Sequence, residues 1–171
     1  MTPDPVETPA ALHAYLRLRG WTVASAESLT GGALGDMLSG APGSSETYVG
    51  GVISYATEVK QRLLGVDDAI VREQGVVSAA CAEQMARGVR DLLDADVAVS
   101  TTGVAGPTEQ EGKPVGLVYI GIAGPGGVHA VELHLDGDRA AVRAAAVAFA
   151  VSELARALGV WTDEDSRGGE Q

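Results

Sequence analysis

The chain has 171 residues, which at the usual ~150 residues per domain allows one domain with a sizeable core. Apolar residues make up 46% and aromatics only 4%, so close helix-to-sheet packing through small side chains is expected. A formal charge of −11 excludes the broad basic surface that nucleic acid or an anionic membrane requires, while leaving room for a small anionic ligand held by one or two arginines.

The single cysteine, Cys81, cannot form an internal disulfide and fits a reducing compartment. The start, MTPDPVETPA, lacks the basic segment and apolar core of a signal peptide. No apolar run approaches the ~20 residues of a membrane span, so a soluble, cytoplasmic protein is expected.

In chain order, Thr8-Pro9 reads as an N-cap followed by proline at the first helical position, opening a helix that runs to Gly20. TVASAE (22–27) is expected to be a short buried strand, breaking at SLTGG (28–32) into a helix that stops near Gly40. After the turn PGSS (42–45), YVGGVISY (48–55) reads as a strand weakened or bulged at Gly50-Gly51. Helical pieces follow to Leu64 and again to Gln74. Ser78 is placed to cap a helix to about Asp94, with Cys81, Met85, Val89 and Leu92 as its apolar stripe.

DVAVSTTG (96–103) predicts a strand ending in the glycine-rich loop GVAGPTEQEGKP. VGLVYIGIA (115–123) and VHAVELHL (128–135) predict neighbouring strands joined by GPGG. Asp138 can cap a last helix to Leu158, and the polar residues 161–171 read as a disordered tail. This alternation predicts one domain over residues 8–160, an α/β/α sandwich of three layers. Its mixed sheet has about five strands, because a pair joined by a short turn must be antiparallel.

Three strand-end loops are candidates for chemistry. ESLTGG (27–32) offers Ser28, Thr30, Gly31 and Gly32 at a helix start, where N–H groups and the helix dipole can hold an anion; the plainer reading is a helix cap. STTGVAGP (100–107) offers Thr102 and Gly103 to orient a substrate or receive an oxyanion, or is a surface turn. DGDR (136–139) puts Arg139 in a first helical turn, where the dipole disfavours a cation. A bound anion would justify that position; a solvated arginine is the alternative. Cys-x-x-Cys, His-Glu-x-x-His and Gly-x-Ser-x-Gly patterns are absent, so neither a zinc site nor an α/β-hydrolase triad is expected. Cys81 sits in an apolar stripe and reads as core. A serine hydrolase here would need a base other than histidine, such as a desolvated lysine.

AESLTGG (26–32), PGSSETYVGGVISYATEVK (42–60), LLGV (63–66), GVVS (75–78), TTGVAGP (101–107), KPVGLVYIGIA (113–123) and GDR (137–139), in that order, resemble the CinA C-terminal domain family. That family includes stand-alone nicotinamide-nucleotide amidases of the PncC type. The resemblance implies hydrolysis of the carboxamide of nicotinamide mononucleotide to nicotinic acid mononucleotide and ammonia, in pyridine-nucleotide salvage, with no cofactor and no metal. It implies Ser45 as nucleophile, Lys60 as general base, Tyr55 beside them, and Thr102 and Arg139 on substrate; Ser28, Thr30 and Ser44 are the nearby alternative hydroxyls. SLTGG carries Leu29 where many relatives have cysteine, and the pyrophosphatase-like domain of fused members is not expected. The other readings are a non-catalytic binding or protein-interaction domain tied to competence and DNA damage, and an amidase for a different carboxamide.

One geometric conflict accompanies the Ser45–Lys60 pairing. A straight strand over 48–55 would separate its ends by ~26 Å at ~3.3 Å per residue, and one helical turn recovers only ~6–8 Å. Either the strand bends at Gly50-Gly51, or Lys60 reaches Ser45 of a symmetric partner in a homo-oligomer that shares active sites between chains.

Overall fold

The computed structural model describes residues 7–160. Five strands form one mixed sheet in the order β2-β1-β3-β4-β5. β1 (Val23–Glu27) lies between parallel neighbours β2 (Tyr48–Ile53) and β3 (Val97–Gly103). β4 (Leu117–Gly124) and β5 (Gly127–His134) continue from β3 as an antiparallel meander. The mixed sheet and its closing hairpin therefore agree with the sequence reading. The bulge is present too: Val23 pairs with Tyr48 but Ala24 with Gly50, so the register skips a residue, and Gly50 takes φ 142°.

Side chains alternate across the sheet and build two cores. On one face Val23, Val97, Val99, Ile120 and Ile122 meet α1 (Glu7–Arg19), α2 (Ala33–Gly40) and α7 (Arg139–Ala157). On the other, the smaller Ala24, Ala26, Ala98 and Ala123 meet α4 (Thr57–Leu64) and α6 (Ala79–Leu92), with Ile70 and Val71 of α5 (Asp68–Glu73) at the margin. Small residues let α6 lie close to the strands. Ser100 Oγ donates to Ala82 O at 2.6 Å, and a Cβ placed at Gly121 would sit 2.5 Å from the Ala82 carbonyl carbon.

The caps read from sequence on the two long C-terminal helices are in place. Ser78 Oγ accepts from Cys81 N at 3.2 Å, and Asp138 Oδ1 accepts from Ala141 N at 2.9 Å. Three details differ. α1 already includes Glu7, so Thr8 is not the residue that precedes it. Leu92 leaves the apolar stripe of α6 and is 50% exposed, while Leu93, four residues after Val89, packs against the core in its place. Within the expected PGSS turn and beyond it, α3 (Ser44–Thr47) forms a single helical turn before β2. The expected tail at 161–171 lies outside the described residues.

Candidate active site

From β1 the chain crosses to β2 on one side and then returns to β3 on the other. Loops after β1 and β3 consequently part above the strand ends, which is where open α/β sheets hold ligands. A cavity of about 310 Å³ opens there, bordered by Ser28, Tyr55, Lys60, Thr102, Gly103 and Arg139 together with loop residues 104–106 and 108–110 and the Val76-Val77 wall.

Lys60 is the anchor of this cavity. It lies on α4, buried at 1% exposure, the largest fully buried side chain of the described residues. Its Nζ donates to Ser54 O at 2.6 Å, Ser28 Oγ at 3.0 Å and Tyr55 O at 3.2 Å. Three donors thus meet three acceptors, with no carboxylate in direct contact among the described residues. Burial lowers the Lys60 pKa from its ordinary value, and its electrostatic interactions with Cys81 and Glu111 only partly offset that. Cys81 itself is fully buried, and burial pushes its thiol up to about 11. That is the profile of an inert core residue.

The hydroxyl that meets Lys60 is Ser28, and the expected Ser45–Lys60 pairing is not formed. Ser45 is exposed on α3, ahead of β2, whereas Ser54, Tyr55 and Lys60 follow β2. The strand between them spans ~20 Å at ~3.3 Å per residue, and its one bulge does not fold it back. Because β1 and β2 are parallel, with Glu27 beside Ile53, the residues just past both strands share one edge of the sheet. Ser28 and Lys60 are thereby brought together within one chain. No partner subunit is needed to join a hydroxyl to the amine.

The anion site expected at SLTGG is occupied by the chain's own carboxylate. Glu27, buried at the end of β1, accepts from Thr30 Oγ1 at 2.6 Å, Gly32 N at 3.1 Å, Leu34 N at 2.9 Å and Gly35 N at 3.1 Å. Those amides are the ones a phosphate would have used, and the dipole of α2 now faces Glu27 instead. Thr30 is fully buried and its hydroxyl also meets Thr101 Oγ1 at 2.8 Å, so it fixes the loop and does not border the cavity. Neither Gly31 nor Gly32 borders it.

Thr102, Gly103, Tyr55 and Arg139 do border the cavity. Thr102 Oγ1 donates to Val76 O at 2.7 Å, which leaves its oxygen able only to accept. Arg139 opens α7 and crosses the cavity rim. It donates to Gly106 O at 2.7 Å and more loosely to Tyr55 Oη at 3.4 Å, and pairs with no carboxylate among the described residues. The Leu29, Ala105 and Gly106 N–H groups, all on cavity-lining residues, make no hydrogen bond among the described residues. Among those residues no three His, Cys, Asp or Glu side chains cluster in a way that could hold a metal ion, and no helix is long and apolar enough to cross a membrane.

The model of the CinA C-terminal domain matches residues 7–158, nearly the whole described fold. The chain belongs to this family. It is 48% identical over 140 residues to a CinA-like protein of Frankia casuarinae and 46% over 156 residues to one of Salinibacter ruber, covering 82% and 91% of this chain. It spans about a third of the length of those two relatives, 32% and 38%. Among solved structures, the competence damage-inducible protein A from Klebsiella pneumoniae superposes with a TM-score of 0.87 at 32% identity, covering 93% of this chain and 99% of that one. A CinA superfamily protein from Escherichia coli gives 0.87 at 30% identity, with 90% of each chain covered.

In this CinA C-terminal domain the sequence signal missed four contributors. The Ser54 and Tyr55 carbonyls act through the backbone and leave no side-chain signature. Glu27 could have been found: an acidic residue ending a strand just ahead of a helix is a reasonable partner for that helix's N–H groups. The wall at Val76-Val77 had no legible signal. Glu111 accepts from both of its N–H groups, and Lys113 Nζ donates to Val77 O, so the glycine-rich loop is strapped to that wall.

Proposed function

We propose that this CinA-family domain hydrolyses the carboxamide of nicotinamide mononucleotide, with Ser28 as nucleophile and Lys60 as general base. The observation that carries the reading is the buried Lys60 Nζ, 3.0 Å from Ser28 Oγ and held from its other sides by two backbone carbonyls. A neutral amine has two N–H donors and one lone pair. With the donors engaged by Ser54 O and Tyr55 O, the lone pair is left facing Ser28 Oγ, as a base for its proton. The pKa lowered by burial favours the neutral amine.

Ser28 Oγ then attacks the carboxamide carbon as its proton passes to Lys60. The N–H groups of Leu29, Ala105 and Gly106, on cavity-lining residues and unpaired among the described residues, are the candidate donors to the tetrahedral oxyanion. Collapse breaks the C–N bond; the Lys60 ammonium returns its proton to the departing nitrogen, releasing ammonia and leaving an ester on Ser28. Water, deprotonated by Lys60, cleaves that ester and frees the carboxylic acid and the serine. Thr102 Oγ1 suits the carboxamide N–H as an acceptor, and Arg139 suits the phosphate at the cavity rim.

The test is to incubate the purified protein with nicotinamide mononucleotide and follow ammonia and nicotinic acid mononucleotide together. Equimolar release by wild type, reduced at least ~100-fold in Ser28→Ala, is expected of a lost nucleophile. Absence of release from folded wild-type protein would overturn the substrate assignment. Full activity in Ser28→Ala would overturn the nucleophile.

A further inference from the structure

The loop that presents Ser28 is gripped from a second side, by a residue that does not border the cavity. Arg143 on α7 donates from Nε to Leu29 O at 2.9 Å and from Nη2 to Thr30 O at 3.1 Å. It is 113 to 114 positions away in sequence, half-buried, and pairs with no carboxylate among the described residues. Its charge and its fork of donors are therefore spent on the backbone just after the proposed nucleophile. Thr30 O has another partner in Ala33 N at 3.0 Å, whereas Leu29 O has none besides Arg143 among the described residues. Gly31 matches this approach: it takes φ 56°, and a Cβ there would lie 3.3 Å from Arg143 Nη2.

We propose that Arg143 is a positioning residue for the reaction, holding Ser28 Oγ on Lys60 Nζ through the carbonyls of Leu29 and Thr30. Glu27 fixes the side of the loop that faces α2, and Arg143 fixes the side that faces α7. A planar guanidinium can span two carbonyls from adjacent nitrogens; the compact ammonium of lysine cannot hold both in the same geometry. Arg139 lies one helical turn earlier on the same face of α7. One helix therefore carries both the arginine at the cavity rim and the arginine that sets the serine.

The kinetic part of this inference rests on the amidase reading; the loop part does not. In Arg143→Ala, kcat should fall about ten- to a hundredfold with KM within about threefold, since a displacement near 1 Å has that consequence and no substrate contact is removed. Arg143→Lys, which keeps the charge and folds more readily, should lie between Arg143→Ala and wild type. Hydrogen exchange supplies the second readout. Exchange over residues 28–35 should accelerate at least ~10-fold in Arg143→Ala, with residues 97–103 unchanged, because only the loop has lost its anchor. Wild-type kcat in both variants, with loop exchange either unchanged or raised equally over both segments, would overturn the proposal and make Arg143 a plain staple of α7. If the wild type releases no ammonia, the amidase reading fails alone and loop exchange decides: local acceleration sustains the role of Arg143, and unchanged protection refutes it.

Discussion

Replacing Lys60 by methionine removes a buried amine while keeping much of its stem, and two independent quantities should respond. The first is stability. When protonated, Lys60 holds an ammonium away from water at a cost of several kcal/mol, against which its hydrogen bonds to Ser54 O, Tyr55 O and Ser28 Oγ are set. Lys60→Met relieves that cost but strands two carbonyl oxygens at about 1–3 kcal/mol each. These effects nearly cancel, so below the folded pKa of Lys60 the variant should unfold within about 2 kcal/mol of wild type. The pH dependence is sharper. Burial lowers the pKa of Lys60 in the folded chain below the ordinary lysine value. Between the lowered pKa and the unfolded value, the unfolded chain binds more protons, and wild type gains stability as pH rises. Below the folded pKa the penalty for protonating the buried amine is fully present. Lys60→Met lacks this dependence, so wild type should gain relative to it as pH rises from the lowered folded pKa towards the unfolded value. Urea titrations of both proteins at a series of pH values measure the difference directly. A stability difference that stays flat across that window would refute the reasoning, because Lys60 would then titrate alike in folded and unfolded chains. The second quantity is turnover, which should drop at least ~100-fold with loss of the general base.

Ser45→Ala should leave both kcat and melting temperature close to wild type, since an exposed surface hydroxyl is usually worth within about 0.5 kcal/mol; a large loss of turnover would restore Ser45 as a catalytic candidate. Arg139→Ala should raise KM more than it lowers kcat if the guanidinium holds phosphate equally in ground and transition states, and steady-state kinetics with an unchanged KM would remove that role. Gly121→Ala should lower stability by about 3 kcal/mol or more, because the added methyl meets the Ala82 carbonyl backbone under α6 and cannot be relieved by a rotamer change. Thermal unfolding checks it, and a wild-type melting temperature would show that α6 can shift away.

Much of the fold was legible because its signals are local. The caps Ser78 and Asp138, the hairpin around Pro125-Gly126 and the bulge at Gly50 depend on residues within a few positions of one another. The ordered motifs carried the family in the same way. The candidate site was legible only as a parts list: Lys60, Tyr55, Thr102, Gly103 and Arg139 do line one cavity. Thr30, Gly31 and Gly32 looked equally suitable, because a hydroxyl- and glycine-rich helix start reads the same whether its amides await a ligand or already hold Glu27.

By itself, then, the sequence determined the strands and every helix but the single turn of α3, the antiparallel closing pair and the residue types available for amide chemistry. Only the tertiary structure decided which hydroxyl faces Lys60. Ser45 is 15 residues away in sequence and Ser28 is 32, yet parallel pairing of β1 with β2 puts Ser28 and Lys60 past the same edge and leaves Ser45 before the other. Sequence separation carries no information about that choice, because a parallel pairing aligns chain segments that a long crossover keeps apart.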